Sequence, residues 1–116
     1  MVKKIQEFQL KFDEEHFPEL KNVSYDERLL FNSVALAGEV GELANVVKKR
    51  HRKKLCSLKT DNIAEEEYKE KIKDEIVDVF VYTLILSNLF EIDLEHEYYK
   101  KMEKNKIKFQ NGSLKR

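Results

Sequence analysis

The sequence predicts an all-α protein with a four-helix bundle-like core, for two reasons. The first is composition: the 116 residues include only three Gly and one Pro, and charged residues reach 38%, against a typical share of about 25%. The second is periodicity, since apolar residues recur at helical spacing in successive segments. A chain of this length fits one compact unit, so we expect residues 1–116 to form a single domain.

The first helix is predicted over residues 2–16. Ile5, Phe8 and Phe12 recur there at helical spacing, and Pro18 should stop the helix because proline cannot continue the hydrogen-bond ladder. A linker is expected to follow at residues 22–24.

A long second helix is predicted to begin beside Ser24. Ser24 followed by Glu27 has the form of a capping box, and apolar residues continue over 29–47. The helix should fray in the basic segment 48–54, where its dipole favours cations at the C-terminal end. Residues 55–62 are then expected to form a loop.

Two further helices complete the predicted set. The third is polar over 65–74, then almost wholly apolar up to Phe90. Asp93 is placed to cap a fourth helix through Phe109, and residues 110–116 are expected to fray.

Charge and hydropathy exclude several classes of protein. The 22 basic residues balance the 22 acidic ones, so no global field favours nucleic acid or a membrane surface. The apolar run 76–90 is too short for a membrane span and contains Asp78. The single Cys56 forms no intrachain disulfide, and residues 1–7 lack the apolar core of a secretory signal. We therefore expect a cytoplasmic protein.

Acidic residues spaced three apart occur in three pairs, and their surroundings distinguish them. The pairs are Glu39/Glu42, Glu67/Glu70 and Glu75/Asp78. The middle pair lies among other charges, which is typical of a solvated face. The other two pairs lie in apolar helices, where an ionised carboxylate must be protonated, ion-paired or bound to a metal.

Two such pairs facing each other across a bundle would offer an all-oxygen ligand set, which Mg²⁺ or Mn²⁺ prefers. The alternative is ion pairing with Lys or Arg from neighbouring helices. Gly38 and Gly41 lie beside the first pair, inside a helix that they weaken. They allow either tight helix packing or the close approach of a ligand.

Three segments together resemble the MazG-type, all-alpha nucleoside triphosphate pyrophosphohydrolases. The segments are 36–44 (LAGEVGELA), 74–82 (DEIVDVFVY) and 100–106 (KKMEKNK). They correspond to the family's ExxE motif, its ExxD motif and its K-x-x-x-N arrangement, in the family's order. The match covers residues 25–109.

The resemblance implies Mg²⁺-dependent hydrolysis of a (deoxy)nucleoside triphosphate to its monophosphate and pyrophosphate, with a role in cleansing the nucleotide pool. It implies that Glu39, Glu42, Glu75 and Asp78 are metal ligands, and Glu39 or Glu42 is also a candidate general base. Lys101 and Asn105 would contact phosphates. Tyr82 matches a base-contacting position, and the N-terminal helix offers Gln9, His16 and Phe17 as further base-binding candidates.

The apolar helix 76–90 also predicts a homo-oligomer. Its apolar side chains visit every side of the helix, and a single four-helix chain has no fifth element to cover them. We expect a tetramer built as a dimer of dimers, or a dimer, and the family resemblance points the same way.

Two other functions remain open from the sequence. A di-iron carboxylate bundle could use Asp13-x-x-His16 and Asp93-x-x-His96 in place of Glu-x-x-His motifs. A non-catalytic helical interaction module would have ion-paired carboxylates instead of a metal. The basic segment 48–54 either stabilises its helix end or guides substrate phosphates, and nucleic acid is a weaker candidate because the segment lacks base-stacking aromatics.

Overall fold

The computed structural model describes residues 1–56 and 64–112. It contains four α-helices and one short 3-10 helix, and these residues form no strand. The helices are α1 (Val2–His16), α2 (Tyr25–Cys56), α3 (Glu65–Leu89) and α4 (Leu94–Gln110), with the 3-10 helix at Pro18–Asn22. The predicted all-α class with four helices is confirmed. Among the helices that the structure describes, none has the length and hydropathy of a membrane span.

Two helix starts form as their capping residues predict. The Ser24 hydroxyl accepts a hydrogen bond from the backbone N–H of Glu27 (3.1 Å) at the start of α2. The Asp93 carboxylate accepts one from the backbone N–H of His96 (3.1 Å) at the start of α4. Each cap pairs a backbone donor that the first helical turn leaves without a partner.

The predicted fraying of α2 over residues 48–54 is wrong, because the helix continues to Cys56. Arg50 explains part of the difference: its Nη2 lies 2.6 Å from Glu65 at the start of α3. Lys53 lies over the ring of Tyr68, 5.7 Å from its centroid. Leu55, expected in a loop, is helical, whereas residues 57–62 lie outside the described part. Gln110 is also helical rather than frayed, and 113–116 are likewise outside it.

α2 and α3 form a long antiparallel pair. The rings of Tyr25 and Phe90 meet edge to face at one end, with centroids 5.8 Å apart. The ion pair of Arg50 with Glu65 closes the other end. These two contacts set the register that brings the middles of the helices together.

α1 is held against the end of α3 by one buried side chain, Gln6. Its Nε2 donates to the carbonyl of Ile92 (2.8 Å), and its Oε1 accepts from the backbone N–H of Leu94 (3.0 Å). The backbone carbonyl of Gln6 in turn accepts from the Asn88 amide (3.0 Å). α1 is therefore fixed to the turn that joins α3 and α4.

The four helices do not close into a bundle within one chain. The radius of gyration is 18.4 Å, against about 13 Å for a compact chain of this length. The exposed surface is 9316 Å², about 2,600 Å² more than a compact monomer of this mass exposes. Tyr68 and Leu84 are the buried apolar residues among those that the structure describes.

Candidate metal centre

Three carboxylates meet where the middles of α2 and α3 face each other. Glu75 and Asp78 are three residues apart on α3, which places both on one face of that helix. Glu39 reaches them from α2. One oxygen of each of the three lies within 4.8 Å of the others.

Two of these carboxylates are partly withdrawn from solvent and lack compensation. Glu39 and Glu75 are half-buried, and Asp78 is exposed. The Oε2 atoms of Glu39 and Glu75 are buried and have no hydrogen-bond partner. None of the ion pairs formed within 1–56 and 64–112 involves the three carboxylates. The ion pairing that would have explained these acids is therefore absent from the described residues.

The raised pKa of Glu75 agrees with the absence of a positive charge beside these carboxylates. Burial raises the pKa of Glu75 to about 7, with further increases from a hydrogen bond to the carboxyl of Glu39 and from the negative charges of Glu42, Glu39 and Asp78. No cation acts in the opposite direction on this pKa. A bound cation would supply the positive charge that these carboxylates lack.

The ligand set fits a hard divalent cation. All three groups are carboxylates, and Mg²⁺ and Mn²⁺ favour oxygen ligands, whereas zinc sites usually include His or Cys. The two histidines of the di-iron alternative lie elsewhere: His16 is exposed and its ring packs against Phe12 at 4.4 Å, and His96 is exposed in the first turn of α4. The Asp93 of that alternative caps α4.

Glu42, the fourth acid of the predicted set, lies beside the three rather than among them. It is exposed, yet its charge contributes to the raised pKa of Glu75. Its side chain lines an open groove on α2 together with Gly38, Gly41, Ala44, Asn45 and Lys48. Glu42 is therefore close enough to act on the same cation without belonging to the tight cluster.

The two glycines of that groove face open space. A Cβ atom built at Gly38 or Gly41 would meet nothing within 4 Å. Tight packing within the described chain is thus not the reason for these glycines, which leaves the close approach of a ligand or of another chain.

The predicted base-binding residues lie on α3, on α1 and, in the case of Phe17, just after the end of α1. Tyr82 is half-buried on α3, one turn beyond Asp78. The Gln9 amide on α1 donates to Asp13 (3.0 Å), and His16 is exposed. Of the four candidates, Phe17 is the one that lines a cavity of about 300 Å³ between α1, α2 and α3.

No hydrogen bond or ion pair of the described residues links the predicted phosphate-binding residues to the carboxylates. Lys101 and Asn105 lie on α4, which packs mainly against α1. Lys101 is exposed, and the Asn105 amide donates to the Met102 sulfur (3.8 Å). Neither residue is among the groups that act on the pKa of Glu75.

Arg28 is a candidate functional residue that the motifs in the sequence did not indicate. Its Nε atom is buried without a hydrogen-bond partner, and the residue lines the same cavity as Phe17. Helical spacing could have revealed it, because Arg28 and Asn32 lie 11 and 7 residues before Glu39, on one face of α2.

One comparison with known proteins gives a match. A family model described as the MazG nucleotide pyrophosphohydrolase domain matches residues 30–111, which is more than half of the chain. The match includes the ExxE and ExxD pairs and the whole of α4. Neither the comparison with curated proteins nor that with solved structures gave a match.

Proposed function

The chain belongs to the MazG nucleotide pyrophosphohydrolase family, and we propose a specific reaction for it. A nucleoside triphosphate and water are converted to the monophosphate and pyrophosphate, with Mg²⁺ as cofactor or Mn²⁺ in its place. Cleansing of the nucleotide pool is the role that suits this reaction. Residues 1–116 act as one catalytic domain.

The observation that carries this proposal is the pair of buried, unpartnered oxygens of Glu39 and Glu75 beside Asp78. These three carboxylates, with Glu42 next to them, are the groups that would hold the cation. Bound there, Mg²⁺ supplies positive charge to the phosphate oxygens and to the charge that develops on the pyrophosphate leaving group. Clustered carboxylates alone would repel such a substrate.

The other residues of the chain act on water and on the nucleotide. Glu39 or Glu42 accepts the proton of the attacking water, a role that needs a carboxylate within hydrogen-bond reach of it. Tyr82, one turn beyond Asp78, packs against the nucleotide base, together with Phe17 and with Gln9 and His16 of α1. Lys101 and Asn105 bind phosphate oxygens.

Binding of phosphates by α4 requires a second copy of the chain. Within one chain α4 contacts mainly α1, and the chain exposes about 2,600 Å² more than a compact monomer. This excess is of the size that obligate interfaces bury. We therefore propose a homo-oligomer, a dimer or a tetramer built as a dimer of dimers, in which α4 of one copy completes the site of another.

A product assay tests the reaction. Purified protein is incubated with Mg²⁺ and each common nucleoside triphosphate, and the phosphorus-containing products are identified by ³¹P NMR. Pyrophosphate and monophosphate are expected in equal amounts. Release of orthophosphate and a nucleoside diphosphate would contradict the proposal, as would the absence of hydrolysis across the whole panel.

A further inference from the structure

The carboxylates continue into a cavity along two helix faces. On α2, Arg28, Asn32, Ala35 and Glu39 are separated by 4, 3 and 4 residues. On α3, Asp78, Tyr82, Ile85 and Leu89 show the same separations. Residues at this spacing share one face of a helix. Because the two helices are antiparallel, both stripes run from the carboxylates toward the same end of the pair.

A cavity of about 300 Å³ lies at that end, and we call it the Arg28 cavity. Its walls come from α1 and the following 3-10 helix, from the first turns of α2 and from the end of α3. Arg28, Asn32, Ile85 and Leu89, four members of the two stripes, line it, as does the ring of Phe17. Arg28 and Glu39 are 11 residues apart, about 16 Å along the helix, which is comparable to the length of an extended nucleoside triphosphate.

Two charged side chains distinguish this cavity from a gap between helices. Asp13 and Arg28 are half-buried, whereas Glu14, Lys21 and Glu91, which also line it, are exposed. The Nε of Arg28 is buried and unpartnered. Asp13 accepts one hydrogen bond, from Gln9. In the described part of the chain, Asp13 and Arg28 do not form an ion pair with each other.

The cavity thus offers a hydrogen-bond donor, an acceptor and an aromatic ring. Arginine only donates hydrogen bonds, so Arg28 can bind a carbonyl oxygen of a base, and a carboxylate such as Asp13 can accept from an amino group. Burial raises the pKa of the Asp13 carboxyl, and the hydrogen bond from Gln9 offsets part of this increase. The amino group of a bound base would donate a hydrogen bond to the Asp13 carboxyl group and so compensate for its burial.

We propose that the Arg28 cavity holds the nucleotide base and that Arg28 and Asp13 select bases with both a carbonyl and an exocyclic amino group. Cytosine and guanine have both groups. Adenine has no carbonyl, and thymine and uracil have no exocyclic amino group. This inference rests on the proposed function, which places the phosphates at Glu39, Glu75 and Asp78.

Binding of nucleoside monophosphates tests the cavity without metal or catalysis. Titration calorimetry in the presence of a chelator compares dCMP, dGMP, dAMP and dTMP with the full chain. We expect dCMP and dGMP to bind roughly tenfold or more tightly than the other two, because a hydrogen bond to a charged group contributes about one order of magnitude or more. Equal affinity for all four, or binding of none, would overturn the proposal.

Variants identify the residues responsible for the preference. Arg28→Met should lower the affinity for dCMP and dGMP to that for dAMP, and Asp13→Asn should lower it to that for dTMP. Lys4→Met removes an exposed cation from α1 and should leave all four affinities unchanged. If Arg28→Met lowers the four affinities equally, base selection by Arg28 is refuted.

A measurement on the wild-type protein covers the case in which a variant fails to fold. The Arg28 Nε–H resonance should shift when dCMP is added and should not shift with dAMP, and the reverse pattern overturns the assignment. Pyrophosphate release separates the two proposals. Release without base preference refutes the cavity assignment alone. Absence of release by a protein that binds dCMP through Arg28 refutes the proposed function alone.

Discussion

Glu39 on α2 and Glu75 on α3 bring carboxylate oxygens to within 4.8 Å of each other, and each keeps its Oε2 buried without a hydrogen-bond partner. Two ionised carboxylates at this distance repel each other, which is one reason that the pKa of Glu75 is raised to about 7. A divalent cation bound at this site would remove the repulsion by taking the place of the proton on Glu75. The first three predictions follow from that exchange.

Mg²⁺ should raise the melting temperature of the protein, because a ligand that binds only the folded state stabilises it by about 2.7 kcal/mol at a hundredfold excess over Kd. Glu75→Gln should remove most of this increase, since it deletes a half-buried ligand. Differential scanning fluorimetry with and without MgCl₂ measures both. The matched control is Glu67→Gln on the exposed part of α3, which should respond like the wild type. A melting temperature that neither Mg²⁺ nor Mn²⁺ changes would argue against the metal centre.

Without metal, stability should fall as pH rises from about 4.5 to about 7. The pKa of Glu75 is raised from 4.5 to about 7, so across this range the folded state binds more protons than the unfolded state, and the free energy of unfolding decreases with pH. Saturating Mg²⁺ should reduce this slope, and Glu75→Gln should remove the contribution of this residue. Urea unfolding at several pH values measures how the free energy of unfolding depends on pH. A slope of opposite sign in the wild type but not in the variant would refute the assignment.

Glu42→Gln and Asp78→Asn should each lower pyrophosphate release by roughly a hundredfold or more, because each removes a charge that supports the cation. Both side chains are exposed, so neither variant should lower the melting temperature of the metal-free protein by much. Activity is measured at saturating Mg²⁺, with Glu67→Gln again as control. Full activity in Glu42→Gln would restrict the metal centre to Glu39, Glu75 and Asp78.

Tyr82→Ala should change the ranking of nucleoside triphosphates by kcat/KM, because under the proposed function the Tyr82 ring packs against the base and its contribution differs between bases. Tyr82→Phe keeps the ring and should retain the wild-type ranking. If Tyr82→Ala lowers kcat/KM by the same factor for every base, and the melting temperature of the variant falls in parallel, Tyr82 is a packing residue.

Two inactive variants should complement each other when mixed. In a dimer with shared sites, Asp78→Asn and Lys101→Met chains form a mixed dimer with one intact site, so random mixing should restore about a quarter of wild-type activity. Unfolding and refolding the mixture allows the chains to exchange, and light scattering coupled to size exclusion reports the assembly. An active species of 13.9 kDa would contradict both the oligomer and the shared site.

Local signals in the sequence were sufficient for most helix boundaries. The caps at Ser24 and Asp93 and the stop at Pro18 act over three or four residues, so a reading of neighbouring residues finds them. The extent of α2 could not be predicted in this way. Its last turns depend on Arg50 meeting Glu65 in the next helix, and that contact exists only once the two helices have paired.

Four acids stand out in the sequence alone, because Glu39, Glu42, Glu75 and Asp78 lie in apolar helices at three-residue spacing. Packing of the helices places Glu39 with Glu75 and Asp78, whereas Glu42 remains beside them. Packing of the helices also leaves Arg28 with a buried, unpartnered nitrogen in a cavity and puts α4 mainly against α1. The reason is physical: periodicity states which side of a helix a residue occupies, but the register and crossing of helices, set by contacts between distant residues, determine what that side faces.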